Sequence, residues 1–384
     1  MRRVVQRIQA AVRDGWLVTG ITILLFLALD GAYRLQASVR REFRGHHAEI
    51  KAFDDPTHPN ATEQWWHEVT GTTPSSRTVR FDPFRGWWPR PQRSRHINVD
   101  SLGRRVTVQP SSVREQRRRI AMFGGSVMWG WIVRDSFTVP SLVATRLRNA
   151  GYDDVEVVNF AQSMFDLTQN AATLSQEIRH GRVPAVAVFL DGNNEVAPVF
   201  QSGEQGHVLN EMILAQRFER AAGVGAELMT LLKRSALVQR IAVRPPPPPS
   251  DNRLHFCPAI AGSYERQVRA VTAIATEFQF SGIFLWQPLR ATTAKRLTAW
   301  ERRISSNAGW RDMVRRCSAA VDSALALRPD IAFHNLRSLF DGDANTVFLD
   351  DYGHLTERAN ALLADDIATR VAERLGPPDR RRVP

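Results

Sequence analysis

Hydrophobic positions follow two regimes along this chain. From residue 119 onward, short unbroken apolar runs recur at 120–123, 155–159, 186–190, 283–287 and 331–334. Between them lie stretches of helical period at 139–150, 167–179, 211–243, 264–278, 300–327 and 357–375. Unbroken runs this short are the mark of strands buried on both faces, and their alternation with helices predicts a mainly parallel sheet covered on either side. The expected fold class is therefore α/β, a three-layer α/β/α sandwich over 116–376 around a five-stranded sheet. The segment before it, 34–115, has no such rhythm and is rich in aromatics ("EQWWHEV", "RFDPFRGWWPRP"). It predicts a juxtamembrane stretch that packs its tryptophans on the main domain. "RPPPPPS" marks a stiff polyproline excursion within a loop at 245–256.

The second regime is N-terminal. A basic tail, 1–14, carries four arginines and is followed by the uncharged run "GWLVTGITILLFLAL" at 15–29. A membrane span needs about 20 residues. Extending to Tyr33, with Asp30 at the interface and Trp16 and Tyr33 as anchors, reaches that length and predicts an N-terminal transmembrane helix over 15–33. No A-x-A-like site follows Leu29, which favours an uncleaved signal anchor over its rival, a cleaved signal peptide. Arg34, Arg40, Arg41 and Arg44 blunt the charge asymmetry across the span. Large following domains translocate largely regardless of charge, so the bulk of the chain is expected outside the cytoplasm.

Charge and cysteine content change this picture little. Lys+Arg number 51 against 39 Asp+Glu, a net +12, and nearly all of the excess is arginine. A basic balance suggests nucleic acid. The arginines, however, are scattered over both ends (including a basic tail at 377–384), 76–120 and helix faces, so no nucleic-acid partner is expected. Cys257 and Cys317 could pair or remain two separate thiols. Neither they nor the histidines show zinc-ligand spacing, and no metal is expected.

The chemistry begins where the first strand ends, in "RRRIAMFGGSVMWGW". A phosphate loop would need a lysine after the glycines, a dinucleotide loop G-x-G-x-x-G, and a hydrolase elbow a second glycine where Met128 stands. What remains for Ser126 is a plain helix N-cap or a nucleophile, which are compatible roles. A nucleophilic serine needs a base, and the base needs a group to orient it. "DDYGHLT" supplies both, with Asp351 three residues before His354 and Asp350 as the competing orienter. Ala161 follows the second strand and Asn194 the third, so all these residues fall on the carboxyl rim of the expected sheet, where such folds place their sites. Candidate oxyanion donors are the N–H groups of Ser126 and Ala161 and the side-chain amide of Asn194.

Taken in order, four blocks resemble those of the SGNH (GDSL-like) hydrolases, over roughly 80–376. They are "FGGSVMWG" with Ser126, "NFAQSMF" with Ala161 in place of a glycine, "DGNNE" with Asn194, and "DDYGHLTERAN" with Asp351 and His354. The lead-in "DPFRGWWPRP…INVDSLGRR" is similar to that of the membrane-anchored bacterial branch. The resemblance implies a flavodoxin-like SGNH fold and a serine esterase with a Ser126–His354–Asp351 triad, an acyl-enzyme and no cofactor. The expected substrate is an acylated carbohydrate or small ester outside the cytoplasm, such as an acetylated cell-envelope glycan. O-acyl transfer to a glycan by the same triad is the alternative. A non-catalytic glycan-binding protein, with Trp65, Trp66, Trp87 and Trp88 as exposed stacking platforms, is the reading from a different class.

Overall fold

A computed structural model describes residues 2–44, 55–71, 79–109, 117–203, 206–209, 211, 251–304 and 308–378. The proline run at 245–249, nearly all of the helix expected over 211–243 and the end of the basic tail lie outside the described residues. The chain divides into two compact units, 1–55 with 212–248, and 56–211 with 249–384. The aromatic-rich stretch from residue 56 thus belongs to the same unit as the sheet.

In the first unit, helix α1 runs Arg2–Arg44. Its segment Val12–Asp30, 19 residues of mean hydropathy 1.7, has the length and composition of a membrane span. It begins three residues before the run marked by the sequence.

The second unit opens with helix α2 (Gln64–Gly71) and an antiparallel hairpin, β1 (Val79–Asp82) with β2 (Gly86–Pro89). Its centre, among the described residues, is a five-stranded parallel sheet of β3 (Arg118–Gly124), β4 (Val155–Asn159), β5 (Val186–Asp191), β6 (Ser281–Trp286) and β7 (Phe333–Asn335). The order β4-β3-β5-β6-β7 is flavodoxin-like. Every residue of β5 is buried, which is why its run carries no alternation.

Successive side chains point to opposite faces. Ala121, Phe123, Ala187, Phe189, Phe284 and Trp286 share one face with α5 (Leu167–Arg179), α7 (Cys257–Glu277) and α9 (Ala308–Ala326). There Phe123, Phe189 and Phe284 stack across three strands at centroid spacings of 4.9 and 5.1 Å. Offset aromatic pairs of this kind add about 0.5–1.5 kcal/mol each beyond the area they bury. The other face is covered by α4 (Val139–Asn149) and α10 (Glu357–Leu375), which pack against each other.

Two differences from the sequence reading have local causes, and one alternative left open is resolved. The helix expected from 264 begins at Cys257, with Pro258 in its first turn, where a missing N–H costs nothing. The stretch expected as one helix over 300–327 is two, α8 (Ala299–Arg303) and α9, because Ile304, the C-cap of α8, is extended and ends that helix. Cys257 and Cys317 form a disulfide that ties the start of α7 to α9.

The tryptophans of the early segment are core residues. Trp66 is 0% exposed and stacks on His58 at 3.9 Å, Trp88 lies under the Arg85 guanidinium, and Trp65 and Trp87 are buried too. They are not the open sugar platforms that the glycan-binding reading required.

Candidate active site

The sheet reverses its winding between β3 and β5, which opens a crevice beyond their carboxyl ends. At the end of β3 the chain must turn sharply into the one-turn helix α3 (Ser126–Trp129). Gly124 adopts φ +155°, and a Cβ there would sit 2.7 Å from the Leu190 carbonyl. A Cβ on Gly125 would sit 2.4 Å from Asn194 Nδ2. The two glycines therefore let the Gly-Gly-Ser turn lie directly on β5 and the helix after it, α6 (Asn193–Ser202). The N-cap of α3 is Gly125, with no side-chain cap, so Ser126 is the first helical residue and its hydroxyl is free of capping duty.

That hydroxyl meets His354 Nε2 at 2.7 Å. On the far side of the ring, Nδ1 lies 2.5 Å from Asp350 Oδ2. Asp350 Oδ1 accepts the N–H groups of Tyr352 (2.9 Å) and His354 (3.2 Å), so one carboxylate closes the turn and holds the ring. Burial works against its ionised form, but the neighbouring imidazole and these N–H donors prevail and keep Asp350 below the usual carboxylate range. The ring is also flanked by Trp131, stacked at 5.9 Å.

The expected pairing of Asp351 with His354 is absent. The Asp351 carboxylate, its side chain 6% exposed, points the other way into an ion pair with Arg290 and lies 3.7 Å from Arg311 Nη1. An arginine 61 residues away is a stronger claim on that carboxylate than the nearby imidazole. Gly353, at φ +87°, sets the turn that puts position 350 rather than 351 under the ring.

The oxyanion candidates also separate. The Ser126 N–H stands at the start of α3, where the first N–H groups have no intrahelical acceptor. Asn194 packs on Gly125 and donates one amide hydrogen to the Phe165 carbonyl at 2.7 Å, which fixes the amide beside the Gly-Gly-Ser turn. Ala161 departs from expectation, because its N–H donates to the side chain of Asn159 at 3.1 Å. Asn159 is anchored in turn on the carbonyls of Met128 and Trp129, so the Ala161 donor is committed to the scaffold. The residue of that loop in a left-handed conformation is Met164, φ +68°.

Behind the rim is a group of three acids, two of them buried (Asp166 and Asp191) and one half-buried (Glu195), that the sequence pattern did not mark. Asp191 ends β5, Asp166 caps α5, and Glu195 lies on α6, where it accepts the Leu167 N–H at 2.7 Å. Burial pushes Asp191 up to about 7, and the charge of Asp166 adds to this against hydrogen bonds from Tyr264 and Asn170. Burial likewise lifts Asp166 to about 6, and Glu195 rises well above its usual range from burial and the two neighbouring carboxylates. Among the described residues no group of three His, Cys, Asp or Glu side chains is arranged to hold a metal ion.

No protein-family model matches the chain, and no curated protein sequence does. Among solved structures it is similar to an acetylxylan esterase from Geobacillus stearothermophilus, with 11% identity over 73% of this chain and 100% of that one and a TM-score of 0.38. It is also similar to a lipase/acylhydrolase from Enterococcus faecalis (14% identity, 68% and 99% covered, TM-score 0.37). A third is a member of the lipolytic protein G-D-S-L family from Veillonella parvula (13% identity, 67% and 98% covered, TM-score 0.38).

Proposed function

We propose that this chain is a serine esterase whose nucleophile is Ser126, whose base is His354 and whose orienting carboxylate is Asp350. One observation carries the reading: a serine, an imidazole and a carboxylate stand in hydrogen-bonded sequence although Ser126 and His354 are 228 residues apart. A surface serine or a structural histidine has no need of that order. A Ser–His–carboxylate relay is what makes a hydroxyl nucleophilic at neutral pH.

With Nδ1 donating to Asp350, the lone pair of Nε2 faces the Ser126 hydroxyl. His354 takes that proton as Oγ bonds to the ester carbonyl carbon, and the carbonyl oxygen becomes an oxyanion. The N–H of Ser126 and the second amide hydrogen of Asn194 stabilise it, at about 3–4 kcal/mol for one such donor. Collapse expels the alcohol, which takes the proton from His354, and leaves an acyl group on Oγ. Water then enters by the same route in reverse and releases the carboxylic acid and free Ser126.

The substrate we assign is an ester-linked acyl group, acetyl foremost, on an extracytoplasmic molecule such as a cell-envelope glycan. Two features support that location: the apolar segment Val12–Asp30, read as a membrane anchor, and the Cys257–Cys317 disulfide, which suits an oxidising compartment.

The test uses the full chain in detergent with p-nitrophenyl acetate. Ser126→Ala and His354→Ala should each lower kcat by at least about 10³-fold while the fold is kept. Parent-level turnover in either variant would rule the mechanism out.

A further inference from the structure

The aspartate that does not touch His354 has its own task. We propose that Asp351 and Arg290 form a positioning clamp that sets the height and tilt of the catalytic turn, so that Asp350 and His354 stay aligned on Ser126. This rests on the reading of His354 as the base.

The turn 350–354 lies between the bridge partners Phe348 and Leu355 and is exposed at its tip, with Tyr352 59% open to solvent. A short solvent-facing loop cannot hold an imidazole to a fraction of an ångström unless it is pinned from below. Three pins are present. Asp351 reaches down to Arg290, whose Nε also donates to the Glu301 carbonyl at 2.6 Å. Asn193, on α6, donates from Nδ2 to the Tyr352 carbonyl. Gly353 has no side chain, and a Cβ there would meet Gln287 and Leu289 at 2.9 Å, so the turn sits flush on the strap that leads from β6.

Glu301 anchors the clamp. Its buried carboxylate takes the Lys295 ammonium at 2.8 Å and the N–H groups of Val347 (2.9 Å) and Phe348 (3.2 Å) at the root of the same loop. Arg290 therefore connects the root of the catalytic loop, through Glu301, to its middle, through Asp351. Neither Asp351 nor Arg290 touches the reacting atoms. Their effect is on where His354 stands, and displacement of about 1 Å at a reacting group is enough to cost about 10²-fold in rate.

The experiment compares parent, Asp351→Asn and Asp351→Glu, all as full-length chain in detergent. Asn keeps the shape and removes the charge, while Glu keeps the charge one methylene out of place. The readouts are kcat and KM with p-nitrophenyl acetate, the rate at which a fluorophosphonate labels Ser126, and Tm. Labelling needs the base but no acyl acceptor.

A clamp predicts that Asp351→Asn lowers both kcat and the labelling rate by about 10- to 100-fold with KM within about twofold, and that Asp351→Glu recovers part of the loss. It also predicts that the deficit persists well below the Tm of the variant. Unchanged labelling by Asp351→Asn, or a loss confined to KM, overturns the clamp. So does a loss that disappears once the temperature is held well below Tm. A parent that the fluorophosphonate does not label at Ser126 would instead defeat the nucleophile assignment itself, and the clamp with it.

Discussion

Replacing Asp350 with asparagine changes one atom and should nearly abolish the proposed esterase turnover, for a reason that lies in how the two carboxylate oxygens are used. Asp350 uses Oδ1 for two main-chain N–H groups, of Tyr352 and His354, and Oδ2 for the imidazole Nδ1. In Asp350→Asn the remaining carbonyl oxygen is held by those two N–H donors. The new NH₂ must then occupy the Oδ2 position and face Nδ1. Nδ1 can accept that bond only if it carries no proton, so the ring's proton moves to Nε2. There it points at Ser126 and cannot receive the hydroxyl hydrogen.

Flipping the amide to restore the tautomer would put the NH₂ against two N–H groups and lose two hydrogen bonds, each worth about 1 kcal/mol or more with its unsatisfied donor. The variant is thus caught between a wrong tautomer and a broken turn. The expected fall in kcat is roughly 10³- to 10⁴-fold, or about 4–5 kcal/mol of transition-state stabilisation. The assay is p-nitrophenyl acetate turnover, with the circular-dichroism spectrum and Tm showing that the fold is intact. Turnover within tenfold of the parent would refute the assignment of Asp350, and all the more so if Asp351→Asn were the slower variant.

Two further outcomes follow from other parts of the rim. Gly125→Ala places a methyl where Asn194 Nδ2 now lies 2.4 Å away, at a backbone conformation that alanine tolerates; the displaced amide should cost about 10²- to 10³-fold in kcat, and parent-like kcat would remove Asn194 from the oxyanion site. The buried acids bind protons in the folded state that the unfolded chain has already released above about pH 4, so stability falls as pH rises from there through the raised values of about 6 for Asp166 and about 7 for Asp191. Asp191→Asn should therefore gain roughly 2 kcal/mol relative to the parent on moving from about pH 5.5 to about pH 8, followed by denaturant unfolding at each pH, and an identical pH slope in both proteins would show that Asp191 is not held protonated.

What could be read beforehand tracks how local the governing physics is. The first four strand positions were legible because a buried strand leaves an unbroken apolar run whatever packs on it; the last, expected at 331–334, lies at Phe333–Asn335 and is only half-buried, so its run marked the position less well. The helices 167–179 and 357–375 were legible because their period and caps are written in consecutive residues, Asp166 with Gln169 in one case and Thr356 in the other. Helix α6 was missed because Pro198 reads as a breaker and the run has little length to set against it. The Gly-Gly-Ser turn gave the serine, and its rim position followed from the parallel sheet.

The two corrections at the site share a cause, which is competition for a polar group by a partner distant in sequence or hidden by the fold. Asp351 stands at the spacing from His354 that short-range geometry favours, but nothing near it in sequence announces Arg290. Ala161 follows a strand on the correct rim, but only the packing of Asn159 beneath α3 shows that its N–H is already taken. Spacing can say which groups are able to meet. Which of them do meet depends on the charges and acceptors that the rest of the fold brings to the same place.

Seen this way, the adjacent aspartates of the loop divide two demands that one carboxylate could not meet. The group on the imidazole must remain a strong acceptor toward the ring when it becomes charged, and a direct guanidinium partner would weaken that acceptance. The group that secures the loop needs such a partner, because an exposed turn without a buried ion pair or core side chain would move. With Asp350 facing His354 and Asp351 facing Arg290, the loop has both, on opposite sides of its backbone. A single carboxylate shared between His354 and Arg290 would hold the turn and blunt the base. The double aspartate lets the structure keep a rigid loop and an electrostatically unshared histidine together.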